Sequence, residues 1–327
     1  MYVALHMNAY FTPRPAEAPA SFALGCMNFG KRTPPDEAAR IVARAVEAGV
    51  GLLDTANMYG EGESERILGG ILKELKAPVR VASKVGLLRR KGRVEGLSEA
   101  RVVEACDESL QRLSRERIDL YYLHAPDPNT PAESTLRGLS RLLDAGKIGA
   151  WGMSNFASWQ ILEWTLLARE VGLPRPSVAQ QLYNPLVRQL DIEYFAFARR
   201  QGLHTTVYNP LAGGLLSGQH QAGAEVPKGS RFDGNPLYQR RYWTRTMHTG
   251  AELLAGLARE AGHSLPALVY AFLARQPGVD SILIGPGSLA HLDEALAARE
   301  IALDGQLRRR IDAVHVELQG TDARYAR

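Results

Sequence analysis

The chain has 327 residues, 45% of them hydrophobic and 23% charged, a balance ordinary for a soluble globular protein and too apolar for long disorder. Its 39 basic and 35 acidic residues leave a net charge of +4, which does not demand a nucleic-acid partner but is compatible with an anionic ligand. The two cysteines, Cys26 and Cys106, are too few for a disulfide framework or a four-cysteine zinc site, and no run approaches the roughly 18 apolar residues of a membrane span. The N-terminus lacks a basic region followed by an apolar core, so the expectation is a cytoplasmic protein with no membrane and no nucleic-acid partner.

Residues 1–20 hold prolines and alanines without a sustained period and read as an arm leading to the first strand, Phe22 to Cys26. Pro34-Pro35-Asp36 opens a helix that ends at Gly49, and the apolar run Val50, Leu52, Leu53 then stops abruptly at Asp54. Gly60-Glu61-Gly62 follows, but a dinucleotide fingerprint needs a third glycine where Glu65 stands, which excludes that motif. The next helix places Ile67, Ile71 and Leu75 on one face and its charges on the other. A third strand, Val79 to Ser83, ends at Lys84; Ser98 caps a helix to Arg112; and a fourth strand, Ile118 to Leu123, ends at His124.

The same alternation continues. A helix from Pro131 to Ala145 precedes the strand Ile148 to Met153, which ends at Ser154-Asn155. A helix from Ser158 to Val171 precedes Val178-Ala179, which leads into Gln180. Helix Ile192 to Gln201 leads to the strand His204 to Val207, with Tyr208 at its end. Residues 209–248 break the rhythm with six glycines and read as one long functional loop. Helices Ala251 to Ala261 and Pro266 to Arg275 then lead to the last strand, Ser281 to Ile284, and Gly285. Eight strands alternating with helices predict an α/β fold, a (β/α)8 TIM barrel forming one domain over residues 1–327, with 1–20 as an arm and 209–248 as a cofactor and substrate loop.

In such a barrel Asp54, Lys84, His124, Asn155, Gln180, Tyr208 and Gly285 surround one mouth, where active sites of this architecture collect. Asp54 and His124 alone are a poor metal set, so no metal is expected. A lysine facing a carboxylate stays charged and suits electrostatics better than nucleophilic attack. Its ammonium would make the nearby Tyr59 phenol more acidic, a proton donor, and neutral His124 could orient a carbonyl through the same oxygen.

These residues bring a family into view. The chain resembles the aldo-keto reductases through Asp54-Thr55-Ala56-x-x-Tyr59-Gly60, Lys84, Leu123-His124, Gly152-x-Ser154-Asn155-Phe156, Gln180 and Asn209-Pro210-Leu211-Ala212-Gly213-Gly214-Leu215-Leu216-Ser217-Gly218. It is most similar to the aflatoxin aldehyde and succinic semialdehyde reductases, through Leu123-His124-Ala125-Pro126-Asp127, Arg231-Phe232-x-Gly234-Asn235, Tyr238-x-x-Arg241-Tyr242-Trp243 and the terminal Arg327. The resemblance implies a barrel that binds extended NADPH and reduces aldehydes, with Tyr59 as proton donor and Asp54, Lys84 and His124 completing a catalytic tetrad.

The resemblance further implies that Ser154, Asn155 and Gln180 hold the carboxamide and that Tyr208 stacks on the nicotinamide. Asn209, Pro210, Leu211, Gly213, Gly214, Leu215 and Gly218 would follow the pyrophosphate, where bare glycine backbone lets NH groups approach. Arg231, Gly287 and Ser288 would face the adenosine phosphate, and Met27, Gly285, His291 and Glu294 complete the cofactor set. Gly287 stands where a serine is common and Ala295 where an asparagine is common, a departure that bears on NADPH preference. His124, Tyr238, Arg241 and Arg327 would bind a substrate, plausibly a carboxylated or dicarbonyl aldehyde such as succinic semialdehyde, and a homodimer is possible. The rival reading is a nonenzymatic NADPH-binding module similar to potassium-channel β-subunits.

Overall fold

Short strands apolar on both faces are stable only where both faces are covered, and this chain covers them by closing its sheet on itself. In the computed structural model, which describes residues 10–220, 223–321, 323 and 325, eight parallel strands form a closed barrel. They are β1 (Ser21–Gly25), β2 (Leu52–Asp54), β3 (Arg80–Val85), β4 (Ile118–Leu123), β5 (Ile148–Ser154), β6 (Val178–Leu182), β7 (His204–Tyr208) and β8 (Ser281–Ile284). Closure pairs β1 with β8, Ser21 lying opposite Ser281 and Leu24 opposite Ile284.

The crossovers are α1 (Pro35–Glu47), α2 (Glu63–Glu74), α3 (Glu99–Leu113), α4 (Ala132–Asp144), α5 (Ser158–Glu170) and α6 (Tyr194–Gln201). Between β7 and β8 lie α7 (Pro236–Tyr242), α8 (Arg245–Glu260) and α9 (Leu265–Ala274), and after β8 come α10 (Leu289–Ala298) and α11 (Gly305–Gln319). The Ser98 side chain accepts from Arg101 N at 3.4 Å and caps α3, and Gly49 leaves α1 at φ +84°, as their sequence positions require. Among the described residues no helix is long and apolar enough to cross a membrane.

The structure departs from the sequence reading in several places. The segment 209–248 is not one loop: Asn235 caps α7, with Pro236 at its first position, and α8 begins at Arg245. Strand β6 runs past Ala179 through Gln180 to Leu182, a further helix, α11, follows α10, and a small hairpin pairs Arg89–Arg90 with Arg93–Val94. Glu65, expected on the solvent face of α2, is fully buried. It accepts from Ser83 Oγ at 2.5 Å and from Arg112 Nε at 2.6 Å.

Two apolar clusters form the core. One lies between barrel and helices; the other fills the barrel with Ala23, Leu52, Ala82, Leu120, Tyr122 and Val178, and Tyr10 packs onto it. The N-terminal arm thereby acquires a role that its sequence does not announce. The Tyr10 hydroxyl donates to Phe22 O at 2.8 Å and accepts from Gly51 N at 3.0 Å, at the entry ends of β1 and β2. Thr12 O meets His204 Nδ1 at 2.8 Å, and Arg14 donates to Val279 O at 2.6 Å, so the arm crosses the whole floor of the barrel.

Replacing Tyr10 by Phe keeps the ring but removes the partner of the buried Phe22 carbonyl and of the half-buried Gly51 N–H, so unfolding free energy should fall by about 1–3 kcal/mol in urea denaturation. An unchanged midpoint would show that the hydroxyl bridges nothing in solution.

Candidate active site

Because all eight strands are parallel, their carboxyl ends meet at one mouth. Register places Gly25 opposite Asp54, Ser154 opposite Gln180 and Leu182 opposite Tyr208. Asp54 and Lys84 are essentially inaccessible and form an ion pair. Lys84 Nζ donates to the Asp54 carboxylate, to Thr55 O at 2.8 Å and to Tyr59 Oη at 3.4 Å. The other Asp54 oxygen accepts from Gln180 Nε2 at 2.9 Å. Tyr59 opens a helical turn, Tyr59–Gly62, in which Gly62 has φ +88° and a Cβ there would lie 2.7 Å from Arg112 Cδ. Only glycine fits where the chain swings from Tyr59 into α2.

Burial would lower the pKa of Lys84, but Asp54 and Tyr59 outweigh it and hold the ammonium charged. For Tyr59 burial also dominates: it lifts the phenol above its ordinary value, Lys84 pulls it back and Asp54 opposes that pull. This reverses the direction that the sequence suggests, in which only the neighbouring ammonium is legible. The hydroxyl is therefore kept protonated at neutral pH. His124, whose ring stands edge-on to Tyr59 with centroids 5.8 Å apart, is held well below its ordinary pKa by burial and by the Lys84 ammonium. It is a neutral imidazole, and its buried Nδ1 has no hydrogen-bond partner among the described residues.

Above this group opens a cavity of about 920 Å³, within the ~300–1,000 Å³ range of small-molecule sites and roomy enough for an extended ligand. Ser154, Asn155 and Gln180 present amide and hydroxyl groups on its wall. Asn155 donates to His124 O at 2.8 Å and accepts from the Tyr208 hydroxyl at 2.6 Å. Asn155 and Asn209 both adopt left-handed backbone, at φ +65° and +57°, an unfavourable conformation that asparagine tolerates better than most residues. Gly214 and Gly218 are also left-handed, at φ +110° and +79°, and a Cβ on Gly214 would find nothing nearer than His220 Nε2 at 3.9 Å. That bare backbone leaves NH groups open to phosphate oxygens, and together with the amide-lined wall it fits a dinucleotide.

Three comparisons bear on this geometry. Residues 21–316 match the Aldo/keto reductase family model. The chain belongs to the aldo/keto reductase family. Human aflatoxin B1 aldehyde reductase member 2 is 37% identical over 306 residues, covering 88% of this chain and 84% of that protein. A probable voltage-gated potassium channel β-subunit from Oryza sativa subsp. japonica is 30% identical over 282 residues, with 84% and 85% covered. Among solved structures, a glycerol dehydrogenase from Gluconobacter oxydans superposes with a TM-score of 0.78 at 26% identity, covering 98% of this chain and 99% of that one.

In this reductase the fold brings nearly all the sequence-predicted site residues together. Met27, Pro210, Leu211, Gly213 and Gly285 line the same cavity, as do Gly287, His291 and Glu294 farther along it. Leu215 is buried beneath the glycine turn instead of facing the cavity. Arg231 donates to Asn28 Oδ1 at 3.0 Å and Asn209 Oδ1 at 3.4 Å and lies over the Tyr238 ring. Tyr208 feels Arg241: burial pushes its phenol up to about 12, and the guanidinium beside it acts in the opposite direction. Arg240 is exposed. Arg327 lies outside the described residues.

At the N-terminus of α10 the Ser288 hydroxyl is engaged in capping, accepting from His291 N at 3.4 Å, and the Glu37 carboxylate accepts from Leu289 N at 3.1 Å. A phosphate bound there would compete with Glu37. Sequence reasoning missed several lining residues, among them Asn28, Arg32 and Tyr270. Arg32 donates to Ser230 O at 3.2 Å, tying the segment after β1 to the β7–β8 connection; a basic residue a few positions after a strand end was the available signal.

Burial and Lys84 both oppose the imidazolium, so His124 should protonate only well below its usual range. In a pH titration followed by NMR its ring signals should show no inflection around 6.5. An inflection there would mean that neither burial nor the Lys84 charge keeps the ring neutral.

Proposed function

We propose that the chain reduces aldehydes to alcohols, taking a hydride from NADPH and a proton from Tyr59. The observation that carries this reading is the contact of Tyr59 Oη with the buried, ion-paired Lys84 at 3.4 Å, on the edge of the cavity and beside neutral His124. NADPH, when bound, supplies the hydride. Ser154, Asn155 and Gln180 are suited to hold its carboxamide and Tyr208 its ring, and the left-handed turn at Gly213–Gly214 is suited to its phosphates. Tyr59 gives its hydroxyl proton to the carbonyl oxygen, and Lys84 stabilises the phenolate left behind. A neutral imidazole can direct a hydrogen bond to that oxygen without taking the proton, which is the role assigned to His124.

The name of the human relative, an aldehyde reductase, supports an aldehyde as substrate. Arg241 beside Tyr208, Tyr238 and Arg231 give the mouth a cationic side suited to a carboxylated or dicarbonyl aldehyde. The similarity to the potassium channel β-subunit keeps a second reading open, a module that binds NADPH without turnover.

Tyr59→Phe should lower kcat by about 100-fold or more while the NADPH dissociation constant, read by fluorescence titration, stays put. Undiminished turnover in that variant would remove Tyr59 from the mechanism, and a wild type that oxidises NADPH with no aldehyde of a panel would favour the binding module.

Arg241→Ala tests the substrate side. A charge-assisted bond to a carboxylate is worth about 1.5–3 kcal/mol, so kcat/KM for succinic semialdehyde should fall at least about tenfold while an aromatic aldehyde is nearly unaffected. Equal losses for both substrates would make Arg241 structural.

A further inference from the structure

Glu95 lies outside the cavity, and no role given above uses it. It follows the Arg89–Val94 hairpin, and its side chain is 1% exposed. One carboxylate oxygen accepts from Gly86 N at 2.7 Å, Asn57 Nδ2 at 2.9 Å and Leu88 N at 3.2 Å. The other accepts from Arg101 Nε at 3.0 Å and again from Asn57 Nδ2, at 3.2 Å. A single buried charge thus joins the segment that delivers Tyr59, the turn by which the chain leaves Lys84, and α3.

The link to the reacting groups is short. Asn57 stands two residues before Tyr59, and its backbone N donates to Lys84 O at 3.2 Å. Tyr59 N donates to Ala56 O at 3.1 Å, so the backbone that aims the phenol is bonded on both sides of Asn57. If the carboxylate served only to pin the hairpin, Gly86, Leu88 and Arg101 would suffice. Its two contacts with Asn57 reach the other loop. Glutamine could not replace it: with one acceptor oxygen, it would turn an NH2 toward donors on either side.

We propose that Glu95 is a positioning residue for the Tyr59–Lys84 pair, acting through Asn57. The carboxylate locks the two segments in register, so that the phenol oxygen stays within reach of the ammonium. The proposal rests on the reading of Tyr59 as proton donor. A displacement of ~1 Å at a reacting group can cost on the order of 100-fold in rate, so loss of the lock should be visible in kcat.

The test compares Glu95→Gln in the wild-type and Tyr59→Phe backgrounds, with NADPH affinity read by fluorescence titration and folding by circular dichroism. In the wild-type background kcat should fall about tenfold or more, with a larger solvent deuterium isotope effect and an unchanged NADPH dissociation constant. In the Tyr59→Phe background Glu95→Gln should add nothing. Equal losses in both backgrounds, or a parallel loss of NADPH affinity, would overturn the positioning role while leaving Tyr59 as donor intact. A Tyr59→Phe variant as active as wild type would instead overturn the donor reading and, with it, this one. Should Glu95→Gln fail to fold, Asn57→Ala cuts the same link and leaves Glu95 its contacts to Gly86, Leu88 and Arg101. It should reproduce the fall in kcat and the isotope effect, and wild-type kcat in that variant would overturn the proposal.

Discussion

The structure turns on one buried ion pair, Lys84 with Asp54. Removing two charges from water is costly, and their attraction offsets that cost only when every remaining proton and lone pair finds a partner. Here the ammonium spends its donors on Asp54, Thr55 O and Tyr59, while the second Asp54 oxygen takes Gln180. Three strands, β2, β3 and β6, and the loop that follows β2 are bound into one polar knot inside an apolar barrel. Breaking such a pair by removing one partner typically costs about 3–5 kcal/mol. The arrangement that makes Tyr59 chemically interesting is therefore the same one that keeps the mouth of the barrel from coming apart.

Backbone geometry reinforces the knot. Asn155 and Asn209 hold left-handed conformations where β5 and β7 end, and the turn from Tyr59 to Gly62 is left-handed at three successive residues, Gly60 to Gly62. Such conformations persist where their surroundings fix them. For Asn155 the surroundings are His124 O and Tyr208; for Asn209 they are Asn184, Tyr238 and Tyr242. Neighbouring strand ends thus brace one another.

Most of the barrel, and the gathering of Asp54, Lys84 and His124 at its mouth, could be read from the sequence, because several strands are short apolar runs with a polar residue at or just past their end. Asp54, Lys84 and His124 interrupt hydrophobic stretches where chain period alone gives no reason for a charge, and parallel topology gathers them. What escaped was information carried by distant partners. Glu65 looks like any solvent-facing helix residue until Arg112 and Ser83 are brought to it. Tyr10 is one aromatic in an arm without periodicity, and its meaning depends on Phe22 and Gly51. The sequence points the Tyr59 shift the wrong way because the neighbouring charge is written in it, whereas the burial that outweighs that charge is a property of the folded chain. Helix α7 was signalled by Asn235-Pro236 but hidden among glycines.

The arm beneath the barrel gives the molecule two unlike ends. Tyr10, Thr12 and Arg14 seal the floor, whereas the cavity opens at the opposite rim. Anything joined to the chain ahead of Tyr10 therefore enters the described fold at the sealed end. A support bonded to the residues of that floor would leave the mouth facing outward, which makes the sealed face the natural one for immobilisation.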